Sequence, residues 1–254
     1  MDKPEILPRL DQIDPAFTGD MDKAEAQDCL TDFRSRLLHL HELLYADRRY
    51  AVLVILQGMD TSGKDGTLRH VLSGLNPVGT RVFSFKTPND EERAHDYLWR
   101  VHRNVPPRGS IGVFNRSHYE DVVITYVHGQ IDEAERNQRL EQIRNFESYL
   151  VQNRIVLLKF FLHISREEQG ERLAARIRNP EKMWKLSASD LSERPHWDKY
   201  QLAYNEALQA THTADAPWII VPADRKWYRN CVIARQLALA LESLDLRWPD
   251  APVP

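Results

Sequence analysis

The run Ala51-Val52-Leu53-Val54-Ile55-Leu56 is apolar without interruption, and after one glutamine the chain continues as Gly58-Met59-Asp60-Thr61-Ser62-Gly63-Lys64. A strand that alternates apolar and polar residues covers one face of a sheet, whereas a continuous apolar run is covered on both faces, as in the middle of a parallel sheet. Parallel neighbours cannot be joined by tight turns, so helical crossovers have to follow. Two glycines spaced by four residues, with lysine after the second, fall between this strand and a helix predicted over residues 64–75. At such a junction the N–H groups of a tight loop and the positive end of a helix converge, which makes a cradle for phosphate oxygens that Lys64 can reach. The competing reading, an ordinary strand-to-helix turn, is weakened by that placement.

The rest of the chain keeps the alternation. Strands are predicted over 81–85, 111–114, 155–162 and 218–222, and helices over 22–45, 90–102, 132–153, from 166 onward, and at the C-terminus to about 244. Strands alternating with helices imply an α/β fold, here a three-layer body around a five-stranded parallel sheet, with ligands beyond the carboxyl ends of the strands. Leu30, Phe33, Leu37, Leu40 and Leu44 recur at spacings of three and four, so that helix packs either on the body or on a partner subunit. Pro4, Pro8, Pro15 and Gly19 mark an N-terminal arm. With 254 residues and 42% hydrophobic content, the chain reads as one domain. Residues 1–45 form the arm and first helix, 46–171 and 211–254 the core, and 172–210 a helical lid.

A formal net charge of -3 argues against a protein that coats nucleic acid. Between residues 172 and 199, however, Arg172, Arg176, Arg178, Lys182, Lys185, Arg194 and Lys199 outnumber Glu181, Asp190, Glu193 and Asp198. A basic zone confined to one stretch of an acidic chain suits a polyanion held in a groove, and closure of such a stretch over phosphates would exclude water. The two cysteines, Cys29 and Cys231, lie far apart and suggest neither a disulfide framework nor zinc, so each is expected to be a buried small hydrophobe. No apolar run is long enough to span a bilayer and the N-terminus lacks the apolar stretch of a signal peptide, which points to the cytoplasm.

Three groups of residues carry the chemistry. The phosphate loop has Asp65 where the usual magnesium-binding Ser or Thr follows the lysine, and it holds Asp60 within the loop itself. A carboxylate there is electrostatically costly unless it holds a metal ion or faces a cation, although capping a helix is an alternative task. The third strand ends in Asn115-Arg116-Ser117-His118-Tyr119-Glu120-Asp121. Parallel-sheet geometry sets Arg116 beside the loop, where it can bind phosphate through two parallel hydrogen bonds, or else form a surface ion pair. His118 reads as a positioned polar residue, since phosphoryl transfer of this kind needs no covalent intermediate.

These residues resemble the polyphosphate kinase 2 family. The resemblance rests on the loop through Asp65-Gly66, on Phe114 to Asp121, on Asn179-Pro180-Glu181-Lys182-Met183-Trp184-Lys185, and on Pro217-Trp218 followed by Asp224-Arg225-Lys226. It implies a fold similar to thymidylate kinase and transfer of the terminal phosphate of inorganic polyphosphate to AMP and ADP, with GMP and GDP as further acceptors, and Mg2+ or Mn2+ as cofactor. By the same resemblance Asp60 would orient the acceptor phosphate and hold metal, with Lys64, Arg116 and Arg176 gripping the transferred phosphate and the polyphosphate. Gly58, Thr61, Ser62, Gly63, Asp65, Gly66, Arg172, Lys182 and Lys185 would contact phosphates, and Lys86, Thr87, Pro88, Asn115 and Glu120 the nucleotide. Asn115, where some members have Asp, resembles the subgroup acting on both mono- and diphosphates. Family members assemble as homo-oligomers, so a dimer or tetramer is expected. The alternative is an ATP-dependent nucleotide kinase on the same fold, against which Asp65 counts.

Overall fold

The computed structural model describes residues 6–184 and 192–250. Helix α1 (Lys23–Asp47) starts at Asp22, whose carboxylate accepts from the N–H groups of Ala24 and Glu25, and stops at Arg48 in a left-handed conformation. Strand β1 (Ala51–Gln57) follows, buried along all seven residues, then α2 (Lys64–Val71), β2 (Thr80–Ser84), α3 (Asp90–Arg93) and α4 (Trp99–His102). Strand β3 (Ile111–Asn115) leads to α5 (Glu120–Val127) and α6 (Glu133–Gln152). After β4 (Ile155–His163) come α7 (Arg166–Arg178), α8 (Pro180–Met183), α9 (Trp197–Thr211), β5 (Trp218–Pro222) and α10 (Lys226–Glu242).

The five strands form one sheet in the order β2-β3-β1-β4-β5, and each neighbouring pair is parallel. This is the α/β architecture that the continuous apolar run of β1 demands. Register does the work of assembling the site: Leu56 pairs with Asn115, so the loops leaving β1 and β3 start side by side. The apolar core runs from Leu7 and Leu10 of the N-terminal segment through the sheet to Leu241.

The apolar stripe of α1 packs within the chain: Leu37 and Leu44 are fully buried and α1 lies along α10. Those two helices also carry the cysteines, and here the sequence reading is corrected. Cys29 and Cys231 form a disulfide across a Cα–Cα distance of 5.9 Å. Their sequence separation of 202 residues hides the pairing, because only the α1–α10 contact brings them together. Among the described residues no helix is long and apolar enough to cross a membrane.

Three further boundaries differ. The helix expected over 90–102 is broken, because Asp96 accepts from the N–H groups of Leu98 and Trp99 at 3.0 and 3.1 Å and starts a new turn. Helix α2 ends at Val71, before Gly74 takes a positive φ of 94°. Residues 197–210, the end of the expected lid region, belong to the body, since Trp197, Tyr200, Ala203, Tyr204, Ala207 and Leu208 of α9 are buried in the core. Part of the expected lid, residues 185–191, lies outside the described residues.

Candidate active site

The loop between β1 and α2 is tightly wound. Gly58 has φ +142° and a Cβ there would stand 2.6 Å from the Leu162 carbonyl oxygen, while Gly63 has φ +107°. Thr61 also takes a positive φ, 64°, and the Ser62 N–H closes a turn on the Met59 carbonyl at 3.1 Å. The hydroxyls of Thr61, Ser62 and Thr67 are buried with no partner among the described residues. Three unused hydroxyls within and just after one loop are available to an oxygen-rich ligand, because buried polar groups are ordinarily bonded.

In front of the loop stand the ionic side chains. Lys64 is buried, and its Nζ donates to the carbonyls of Gly58 at 2.7 Å and Met59 at 3.2 Å. Burial, with the nearby Arg116 charge adding to it, pulls the Lys64 ammonium below its ordinary range. Arg116, itself at φ +63°, reaches across to Asp60 at 2.6 Å and to Glu120 at 3.3 Å. Gln57, the last residue of β1, donates to Glu120 at 2.9 Å. Asp60, Arg116 and Glu120 line a pocket whose far wall is Ile124, Tyr200 and Tyr204. On that wall the Tyr200 hydroxyl donates to Glu193 at 2.7 Å, and Glu193 lies 3.1 Å from His128. Burial first, and then Glu193, push the Tyr200 phenol above its usual range, so it stays protonated as a donor.

Behind the loop the arginines do something else. Arg172 of α7, read from sequence as a phosphate ligand, is buried and donates to the carbonyls of Thr61, Ser62, Ala223 and Asp224 at 2.7–3.1 Å. It shapes the loop from the rear. Beside it Arg229 of α10, which the sequence reading did not single out, donates to the Ser62 carbonyl at 2.9 Å and to Asn230. A Cβ on Gly63 would stand 1.8 Å from Arg229 Nη1, so the second glycine of the motif is required by an arginine from the far end of the chain. Burial, and next the Arg172 charge, lower the Arg229 guanidinium to about 9.

The remaining sequence-predicted residues are placed as follows. Asp65 and Gly66 open α2, where Asp65 accepts from the Asn115 amide at 2.8 Å. Arg176 is half-buried near the end of α7, and Lys182 falls in the short helix α8. Lys185 lies outside the described residues. Lys86 and Thr87 are exposed at the end of β2, and Pro88 lines a separate cleft with Arg93, Arg100, Asp121 and Arg139. Arg100 pins this segment by donating to the Lys86 carbonyl and to Asp121, both at 2.8 Å. Burial raises the Asp121 carboxyl above its usual range against the opposing pull of Arg100.

Among the described residues no group of three or more His, Cys, Asp or Glu is arranged as a metal cage. Mg2+ does not require one, since it commonly takes one or two carboxylates and completes its shell with phosphate oxygens and water. Asp60 and Glu120, held by the two ends of one guanidinium, match that donor set.

Comparisons with known proteins agree with this fold. The family described as Polyphosphate kinase 2 (PPK2) matches residues 20–248. An AMP/ADP-polyphosphate phosphotransferase of Meiothermus ruber is 47% identical over 244 residues, 96% of this chain and 91% of that protein. An ADP-polyphosphate phosphotransferase of Rhodopseudomonas palustris is 45% identical over 251 residues, 94% of this chain and 86% of that protein. The crystal structure of polyphosphate kinase 2 from Arthrobacter aurescens superposes with a TM-score of 0.96 at 41% identity, covering 99% of this chain and 91% of that one.

Proposed function

We propose that this chain, which belongs to the polyphosphate kinase 2 family, transfers the terminal phosphoryl group of inorganic polyphosphate to AMP and to ADP, forming ADP and ATP. The observation that carries the reading is the Asp60–Arg116 pair, 2.6 Å apart, at the mouth of a loop whose lysine is buried behind it. Phosphoryl transfer needs positioning and charge stabilisation rather than a strong nucleophile of the protein's own. An oxygen of the acceptor's terminal phosphate attacks the terminal phosphorus of the polyphosphate. As that P–O bond forms, the bridging P–O bond breaks, and its electron pair leaves with the shortened chain.

Each residue then has a task. The loop N–H groups and Lys64 hold the phosphoryl group in transit, and the phosphate oxygens replace the Gly58 and Met59 carbonyls as acceptors of the lysine's protons. Arg116 exchanges the Asp60 carboxylate for a phosphate, to which its guanidinium can donate two parallel hydrogen bonds. That frees Asp60 to orient the acceptor phosphate. Arg176, with Lys182 and Lys185, meets the departing polyphosphate, and Lys86, Thr87 and Pro88 lie along the nucleotide together with Asn115 and Glu120. A divalent cation, Mg2+ or Mn2+, held by Asp60 and Glu120 with phosphate oxygens, would neutralise charge on the group in transit. Asn115 carries no charge and its amide is turned to Asp65, so acceptors differing by one phosphate meet no added negative charge at that position. The guanine nucleotides present the same phosphates, and GMP and GDP are proposed as acceptors too.

The test mixes purified protein, magnesium and long-chain polyphosphate separately with AMP and with ADP, without ATP, and follows the nucleotides by chromatography. ADP and then ATP formed from AMP is the expected result. ATP from ADP alone would keep the donor and reject the role given to Asn115. Turnover only after ATP is supplied would make the protein an ATP-dependent nucleotide kinase and overturn the proposal.

A further inference from the structure

Directly behind the loop that carries Arg116, a set of buried polar side chains from different elements meets in the core. Glu147 of α6 accepts the Tyr119 hydroxyl on Oε1 at 2.8 Å, with His118 Nε2 at 3.3 Å from the same oxygen. Its Oε2 takes Lys159 Nζ at 2.6 Å. Lys159, in the middle of β4, also donates to the Thr211 carbonyl at the end of α9, 2.8 Å away, and stands 5.0 Å from the centre of the Trp218 ring. Glu147 and Lys159 have side chains 2% and 0% exposed. Burial pushes the Glu147 carboxyl up, but Lys159 and His118 more than offset it and hold it below its usual range. It is therefore ionised, and the bonds it receives are charge-assisted.

An ion pair is a costly way to fill a core, because two well-packed apolar side chains of similar volume stabilise as much or more. What the pair adds is direction: each of its bonds fixes a distance and an angle. The neighbouring loop needs direction. Arg116 sits at φ +63°, a left-handed conformation that is unfavourable for a residue with a Cβ and persists only where the surroundings over-determine it. On one side its N–H is fixed to the Leu56 carbonyl at 3.0 Å. On the other side only buried Ser117 separates it from His118 and Tyr119, the two residues tied to Glu147. Glu120 follows Tyr119 at once and begins α5. Both Arg116 and Glu120, which line the pocket with Asp60, thus hang from one anchored dipeptide.

We propose that Glu147 and Lys159 are positioning residues for the phosphoryl transfer: acting through His118 and Tyr119, the buried pair sets where Arg116 and Glu120 stand against Asp60. The inference rests on the role given to Arg116 above. Neither Glu147 nor Lys159 touches the pocket, and their effect is on geometry alone. A displacement of about 1 Å at a group that orients a reaction lowers the rate on the order of 100-fold, so loss of the anchor is expected to reduce kcat by about 10- to 100-fold.

The test is the triple variant Glu147→Leu, Lys159→Met, Tyr119→Phe, which removes both charges and the hydroxyl at similar volume, alongside the single variant Tyr119→Phe and the pocket variant Arg116→Ala. Melting temperature is read together with kcat and KM for AMP at saturating polyphosphate. The expected result for the triple variant is a melting temperature close to the parent's, the stated fall in kcat, and a KM within about threefold. A folded triple variant with parental kcat would overturn the inference. Should the triple variant not fold, Tyr119→Phe decides: a several-fold fall in kcat at unchanged melting temperature supports the anchor, and parental kcat overturns it. Arg116→Ala separates this inference from the one beneath it. If that variant is slow while the anchor variants keep parental kcat, only the positioning role fails; if it keeps parental kcat, the assignment of Arg116 fails and the inference goes with it.

Discussion

The front and the back of the phosphate loop use the same residue type in opposite ways. In front, the Arg116 side chain is 36% exposed and faces the carboxylates of Asp60 and Glu120 across an open pocket. Behind, Arg172 and Arg229 are buried, and most of their donors go to carbonyl oxygens of the loop, of Ala223 and of Asp224, while Glu168 takes the Arg172 Nε at 2.7 Å and Asn230 takes the rest of Arg229. The partners in front are exchangeable, since a phosphate offers an arginine the same two-point contact as a carboxylate. The partners behind are mostly the backbone of the loop itself. A high density of positive charge near a phosphate loop therefore says little about how many of those charges meet the ligand.

The largest test of that division is at the front. Replacing Lys64 or Arg116 with alanine is expected to lower kcat by about 100- to 1000-fold, the range found when one preorganised charge-stabilising donor is lost. Stability should hardly suffer. Lys64 is a buried ammonium whose folded-state pKa lies below the ordinary 10.5, so between those two values the unfolded chain binds more protons and folding stability rises with pH. Removing the charge relieves that cost, and the melting temperature of Lys64→Ala at neutral pH should equal or exceed the parent's. The same shift gives kcat/KM an alkaline limb below 10.5 as Lys64 loses its proton, and Lys64→Arg should lack that limb. A marked loss of stability in Lys64→Ala would mean that the front, too, is scaffold.

At the back the expected effects are on folding as much as on rate. Gly63→Ala adds a Cβ 1.8 Å from Arg229 Nη1 at a φ of +107°, combining overpacking of about 1–3 kcal/mol with backbone strain of about 1–3 kcal/mol. Adding Arg229→Ala removes the clash and leaves the strain. Urea unfolding of the two single variants and the double variant should show the double less destabilised than the sum of the singles. Strict additivity would mean that Arg229 does not shape the loop.

How much of this was legible in the sequence follows from the range of the signals. The strands declare themselves by unbroken apolar runs, and the loop by glycines and lysine at a strand-to-helix junction, all local patterns. Asp60 and Lys64 after β1, and Arg116 and Glu120 after β3, come together because two such junctions become neighbours in a parallel sheet. Arg172 was misread because a basic run does not reveal that this side chain turns inward. Arg229 was missed although a signal existed: it stands four residues before Ile233 and eight before Leu237, on the buried stripe of α10. An arginine at a core position of an amphipathic helix has to be bonded to something. The disulfide left no comparable trace, because it depends on which two helices pack.

That disulfide gives a smaller prediction, and one that asks how far the back of the loop extends. Cys231 lies two residues after Arg229 on α10, bridged to α1. Closing a long loop by a disulfide commonly contributes about 2–4 kcal/mol, so reduction, or Cys29→Ser, should lower the melting temperature by several degrees. At temperatures where the protein remains folded, kcat should be unchanged, because Arg229 is held by Ser62 and Asn230 and not by the bridge. A kcat that falls with the bridge in folded protein would extend the loop's scaffold as far as α1.

The smallest effect is expected far from either side, at Asp47 where α1 ends. Its carboxylate accepts from the Arg49 side chain at 2.7 and 2.8 Å and from the Arg247 N–H at 2.7 Å. Arg49 is the main cause that holds it at about 2, down from 3.8. A depressed carboxylate pKa contributes stability that is full above the unfolded value and is lost as pH falls through the folded one. Asp47→Asn should therefore cost about 1–2 kcal/mol at neutral pH, discounted for the exposed Arg49. Its gap to the parent in urea unfolding should narrow below about pH 4 and close near about pH 2, with kcat unaffected throughout. The variant calibrates the comparison: a purely structural ion pair changes stability in a pH-dependent way and leaves the rate alone, and an Arg229 substitution that behaved in the same manner would reduce the back of the loop to ordinary scaffold.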